Sequence, residues 1–247
     1  MTTKVVPGIL VATPDAEQAS VEAAARMGKI IREALIQRGR AAIALSGGNT
    51  PRAAYALLGK DTRVDWSKVD VFFVDERAVS PGDDRSNYRH ARESLLDPAK
   101  IPADRVHRMP GEASDLERAA REYEALLRKR LRAPDNVAPT LDLVILGIGD
   151  DGHTASLFPG QPEVEIADRL VAAVPARNGL EARLTFTVPL IEAARAVMIL
   201  AIGASKNAPL ERVWNVAGKI GDTPARVVRG VRGSVIWIID RAAGGMG

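Results

Sequence analysis

Short apolar runs alternate along this chain with longer stretches in which apolar residues recur every three or four positions. The runs at 5–11, "AAIAL" at 41–45, "VDVFFV" at 69–74 and 141–146 read as strands, with a shorter one at 106–109. Further strands are expected at 170–174, 184–188, 197–202, 227–228 and 235–239. Between them, Val21, Ala24, Ala25, Ile30, Ile31, Ala34 and Leu35 set out a helix over 15–38 that Gly39 stops. Pro51 suits the first turn of a helix running to about Leu58, where its missing N–H costs nothing. The polar segment after Val74 is expected as loop, turning helical from about Ser86. Ser114 and Glu117 form a capping-box pattern for a helix whose apolar face is Leu116, Ala119, Ala120, Tyr123, Leu126 and Leu127. Shorter helices are expected at 189–194 and 205–216. Near-continuous apolar strands alternating with helices predict an α/β fold: a mainly parallel sheet covered on both faces, with a small antiparallel excursion near 170–190.

Composition changes this picture little. The 247 residues suit one domain, expected over 1–247, and no repeat or linker divides them. Without cysteine, disulfides and thiolate metal sites are unavailable. The net charge of +3 comes from arginines interleaved with acids, as in "EASDLERAAREYEALLRKRLR", which reads as solvated helix faces. The excess suits a small anionic substrate better than nucleic acid or a membrane. The first twenty residues lack a leader's apolar core, and no run approaches the roughly 20 residues a membrane helix needs. The expectation is a cytoplasmic monomer or small homo-oligomer.

Candidate chemistry gathers in the polar turns that leave three apolar strands. In an open parallel sheet, ligands lie beyond the carboxyl ends of the strands, so these turns are expected on one edge. The first is Ser46, Gly47, Gly48, Asn49 and Thr50, just before Pro51. Small residues, free N–H groups and a helix N-terminus make an anion cradle, although a tight turn needs the same residues. It lacks the P-loop pattern. The second turn is Asp75-Glu76-Arg77, three charges at a buried strand end. They read either as an internal salt-bridge cluster or as a proton-handling acid beside an anion-binding arginine.

The third turn, "GIGDDGHTASLFPG", formally matches the dinucleotide fingerprint through Gly147, Gly149 and Gly152. Pro159, Gly160 and Pro162 cut short the helix that fingerprint requires, and Asp150 and Asp151 would repel a pyrophosphate. What remains is Asp151-Gly152-His153: an imidazole able to take a proton near neutral pH and a carboxylate to orient it. Asp150, Asp151 and His153 could also approach a divalent ion, but no further histidine stands at a ligand spacing, and no metal is expected. No G-x-S-x-G elbow is present. Of three histidines, His90 and His107 read as surface or structural. Arg183 and Lys206 sit at other strand ends, either as surface charges or as the remainder of a phosphate pocket.

Taken together, "ALSGGNTP", "VFFVDERAVSPGDDRSNY", "LDLVILGIGDDGHTASLFPG", "RLTFT" and "IGASKN" resemble the 6-phosphogluconolactonase family over essentially the whole chain. The resemblance implies a single Rossmann-like α/β domain that hydrolyses 6-phospho-D-glucono-1,5-lactone without metal or organic cofactor. It makes His153 the general base, Asp151 its orienting partner and Arg77 the stabiliser of charge at the lactone oxygen. Asp75 supports the site in a role not separable from that of Asp151. The Ser46–Thr50 turn, Arg183 and Lys206 would hold the phosphate. Glucosamine-6-phosphate deaminases, which share the D-G-H element, are the nearest alternative. Arg77 stands where the resembled deaminases carry an aromatic residue, and "TASLFPG" after His153 lacks their acid. A non-catalytic sugar-phosphate sensor is the other alternative.

Overall fold

The computed structural model describes residues 3–134, 136–177 and 179–246. Its strands are β1 (Ile9–Thr13), β2 (Ala41–Leu45), β3 (Val69–Phe73), β4 (Asp75–Arg77), β5 (Leu143–Gly147), β6 (Val171–Val174), β7 (Arg183–Phe186), β8 (Ala196–Ala201) and β9 (Ser234–Asp240). The helices are α1 (Ala16–Arg38), α2 (Asn49–Leu58), α3 (Asn87–Ala91), α4 (Leu116–Leu131), α5 (Val188–Glu192) and α6 (Asn207–Trp214). Six strands form a wholly parallel sheet in the order β1-β9-β8-β5-β2-β3. Every residue of β2, β3 and β8 is buried, which explains why these strands read as unbroken apolar runs. The expected antiparallel excursion is a separate three-stranded sheet in the order β4-β7-β6.

Two features of this topology create the site. The chain leaves β2 toward β3 on one side and leaves β5 toward β8 on the other, so the neighbours β2 and β5 bracket a switch point. A crevice opens beyond their carboxyl ends. The second feature is Val74, where the chain changes sheets. Its N–H donates to Leu45 O (2.9 Å), continuing the parallel pairing, while its carbonyl accepts from Phe186 N (2.7 Å) in the antiparallel sheet. Asp75, Glu76 and Arg77 therefore emerge at the seam between the sheets. Tyr123 of α4 braces the preceding strand, accepting from Phe73 N (3.1 Å) and donating to His107 O (2.7 Å).

Several boundaries depart from the sequence reading for local reasons. The first strand begins at Ile9, because Pro7 and Gly8 precede it and Pro7 O is engaged by Trp237 Nε1. The stretch 106–109 keeps a single bridge at Val106, confined between Pro102 and Pro110. The cap of α4 is Asp115, which accepts from Arg118 N (2.9 Å), rather than Ser114. A carboxylate complements the positive helix end better than a hydroxyl does. The helix expected from about Ser86 begins there as α3, with Ser86 as its cap, but it passes into a π-turn at Arg92–Leu96. The segment expected as helix from 205 begins as a 3-10 turn, Ala204–Lys206, before α6.

The expected strand at 227–228 is instead part of a 3-10 helix, Pro224–Arg229, started by proline. Its conformation serves two arginines. Arg226 donates to the carbonyls of Arg212, Val213, Asn215 and Val216, and Arg229 to those of Val5, Val213, Trp214 and Asn215. They satisfy the carbonyls left open at the C-terminus of α6 and complement its negative dipole end. Arg226→Met is expected to leave the Arg212 and Val216 carbonyls without a donor, with Arg229 still serving Val213 and Asn215, and to lower unfolding free energy by about 1–3 kcal/mol. Urea denaturation checks this; an unchanged midpoint would remove the clamp from the account of α6.

Candidate active site

All three polar turns meet at the carboxyl edge of the sheet. The Ser46–Thr50 turn follows β2, Asp75–Arg77 follows β3, and the turn from Gly147 follows β5. They line one cavity of about 370 Å³ that also includes Asn87, Arg183 and Lys206. A second cavity, about 650 Å³, shares Gly149, His153, Arg183 and Lys206 as a common wall and extends past Phe158, Arg177 and Glu181. Every residue that the family resemblance assigns to the site lines one or both, whereas Glu76 of the second turn lines neither. His107 does not: it is buried at the opposite end of β3, with Nε2 2.7 Å from Asp70 Oδ1. His90 lies half-buried in α3, away from both cavities.

The turn after β5 is folded around its histidine. Gly149 N donates to His153 O (2.8 Å) and Gly152 N to Gly149 O (2.9 Å). Asp151 Oδ1 accepts from His153 N (2.9 Å) and lies 2.7 Å from His153 Nδ1. An ionised carboxylate only accepts, so Nδ1 carries the proton and Nε2 is left with its lone pair. A Cβ at Gly149 would overlap the imidazole, which is why glycine is needed there. Burial tends to raise the Asp151 carboxyl, but the His153 amide and imidazole outweigh it and hold it below the usual range. The Asp–His pairing is therefore present at neutral pH and is lost only in acid, as pH falls through that depressed value. Phe158 packs on the His153 ring at 4.8 Å between centroids.

Cations surround this pair unevenly. Lys206 Nζ is 2.7 Å from Asp150 Oδ1, and Arg212 Nη2 donates to Asp150 O (2.9 Å), so Asp150 holds the start of α6 beside the histidine turn. Among the described residues, Asp150, Asp151 and His153 form no three-ligand metal cluster. Arg77 and Arg183 are register partners across β4 and β7, so two like charges face each other directly. Such a pair destabilises a sheet unless something anionic lies between. Arg183 is buried enough that desolvation lowers its pKa, and its guanidinium lies 5.5 Å over the Phe158 ring. Three buried polar atoms lining the same cavity have no partner among the described residues: Ser46 Oγ, Arg77 Nε and Arg183 Nε.

The carboxylates of β4 do different work from Asp151. Asp75 Oδ2 accepts from Ser156 Oγ (2.7 Å), just beyond the histidine turn, and Asp75 Oδ1 from Asn87 Nδ2 (3.0 Å). Between them Ala155 takes a left-handed φ of 48°, a strained conformation of the kind that collects at functional sites. Glu76, 2% exposed, accepts from the backbone N–H of Arg77, Asn87 and Tyr88 and from Ser86 Oγ. Burial pushes its carboxyl up in spite of those donors. Asn87 and Ser156 were not singled out as site residues in the sequence. The only signal was Asn87's place in "SNY", because neither residue type announces a role without its neighbours.

Residues 14–237 match the sequence model of a family described as glucosamine-6-phosphate isomerases/6-phosphogluconolactonase. A 6-phosphogluconolactonase of Synechocystis is 42% identical over 214 residues, covering 87% of this chain and 88% of the relative. One of Mycobacterium tuberculosis is 35% identical, covering 93% and 94%. The solved 6-phosphogluconolactonase of Trypanosoma cruzi superposes with a TM-score of 0.85 at 28% identity, over 99% of this chain and 98% of the other. A monomeric glucosamine-6-phosphate deaminase shares the fold, with a TM-score of 0.80 at 22% identity over 97% and 100%.

His153→Ala removes the imidazole's share of the influence that depresses the Asp151 carboxyl and leaves the backbone N–H of residue 153 as the remaining donor against burial. The Asp151 side-chain carbon, followed by NMR titration, is expected to titrate at higher pH in the variant than in the parent. An unchanged midpoint would show that the two side chains are not coupled in solution.

Proposed function

The chain belongs to the family of glucosamine-6-phosphate isomerases and 6-phosphogluconolactonases, and we propose how its site performs the second of these activities. It is an enzyme that hydrolyses 6-phosphogluconolactone to 6-phosphogluconate, the activity of the pentose phosphate pathway. The observation that carries the site assignment is the facing pair Arg77 and Arg183, each with a buried unpartnered Nε in the cavity that contains the Ser46–Thr50 turn. Two guanidinium groups, a free hydroxyl and the N-terminus of α2 suit a phosphate dianion.

Water is the nucleophile. His153 Nε2 takes its proton as the water oxygen attacks C1 of the lactone, and the imidazolium that forms is held by Asp151. The carbonyl oxygen becomes an oxyanion; the tetrahedral centre collapses, the C1–ring oxygen bond breaks, and the ring oxygen takes the proton back from His153. The sequence expectation gave the oxyanion to Arg77 and the phosphate to Lys206. The geometry favours the exchange of those roles. Arg77 faces Arg183 and lines only the cavity with the cradle, whereas Lys206 is bonded to Asp150, next in sequence to the acid that orients the base. The phosphate anchor fixes the ring so that C1 meets the water, turning remote binding energy into orientation. A lactone is already activated, so general-base help of about 10²–10⁴-fold and one oxyanion donor of about 10²–10³-fold suffice. The reading calls for no metal, organic cofactor, nucleic acid or membrane, and it fits a cytoplasmic monomer or small homo-oligomer. Among the described residues no helix is long and apolar enough to cross a membrane.

The test is opening of freshly generated 6-phosphogluconolactone, corrected for spontaneous hydrolysis. His153→Ala is expected to keep its fold and to lose about 10²–10⁴-fold in kcat; full activity would sink the mechanism. Under the exchanged roles, Lys206→Met lowers kcat more than it raises KM, and Arg77→Met does the reverse. The opposite split would restore the first assignment.

A further inference from the structure

The anion cradle poses a problem of physical chemistry that the catalytic residues do not solve. Arg77 must be held against the repulsion of Arg183, yet its charge must stay available to a ligand. A carboxylate on Arg77 would fix it and also neutralise it. The structure uses neutral acceptors instead: Arg77 Nη1 donates to Arg85 O (2.7 Å) and to Asn87 Oδ1 (2.6 Å). Asn87 is buried, 2% exposed, and its other amide atom, Nδ2, donates to Asp75 Oδ1 (3.0 Å) and to Asp75 O (3.0 Å). Because the Asp75 carboxylate only accepts, the amide can face one way alone, oxygen toward Arg77. The same side chain lies on the cradle, since a Cβ at Gly47 would overlap it.

We propose that Asn87 is a positioning residue for substrate phosphate. It aims the Arg77 guanidinium while passing on the orienting influence of Asp75 as an amide dipole, so that the arginine is fixed without being neutralised. This also separates Asp75 from Asp151: Asp151 serves the base, and Asp75 serves the anchor through Asn87. The proposal rests on the phosphate reading of the cavity and adds to it a residue that touches neither the base nor the reacting carbon.

Two variants test it, with lactone kinetics and calorimetric binding of 6-phosphogluconate as readouts. Asn87→Ala frees Arg77 and is expected to raise KM and the product Kd about 10- to 100-fold, with kcat within about threefold of the parent. Asn87→Asp keeps size and hydrogen-bonding reach but sets a carboxylate against both Arg77 and Asp75. At neutral pH it is expected to bind product at least as weakly as the alanine variant. Two carboxyl groups so close share a proton as pH falls, and their shared pKa lies above that of an isolated carboxyl. The ratio of variant to parent Kd therefore narrows as pH falls below neutral, whereas for Asn87→Ala it stays flat. A loss confined to kcat, an unchanged KM in both variants, or pH-independent ratios in both would overturn the proposal. Absence of turnover in the parent chain would instead overturn the lactonase reading, while product binding would still report on Asn87.

Discussion

The site depends on how the third parallel strand ends. Two carboxylates, Asp75 and Glu76, follow directly on the buried strand β3 and are themselves almost fully buried. Charges in such a position persist only if donors surround them. Glu76 meets that demand by collecting backbone N–H groups from Arg77, Asn87 and Tyr88, which pins the end of the polar loop and the start of α3 against β4. Asp75 draws in Ser156 on one side and Asn87 on the other. The desolvation of two acids thus organises three segments distant in sequence, and the binding surface is what those segments present on their open side.

Much of this was legible in the sequence, because burial and turn chemistry are local. The runs 41–45 and 69–74 gave strands almost to the residue, since strands buried on both faces leave no ambiguity of period. The rule that ligands gather at the carboxyl ends of parallel strands then brought Ser46, Asp75 and Gly147 to one edge before any contact was known. The pairing of Asp151 with His153 spans a single intervening residue, Gly152, in a tight turn, so it too could be read.

What was not legible depends on register and on long-range contacts. Nothing in "DER" or "RLTF" shows that Arg77 and Arg183 face each other, because cross-strand pairing is set by the whole antiparallel sheet. Asn87 stands ten residues from Arg77 at the start of α3, and its role exists only once Glu76 has drawn that helix end back to β4. The 3-10 helix at Pro224–Arg229 was misread as a strand for a similar reason. Its two valines look like a strand's, but the carbonyls at the end of α6 required arginines at 226 and 229, and that requirement decided the backbone.

His153 stands on the wall between two cavities, only one of which contains the cradle. A hydrolase has two substrates, and the second is the solvent. A sugar phosphate seated in the smaller chamber would seal a single-mouthed site against the water it must react with. The larger chamber reaches His153 without touching the Ser46–Thr50 turn, so water there meets the imidazole without crossing the phosphate cradle.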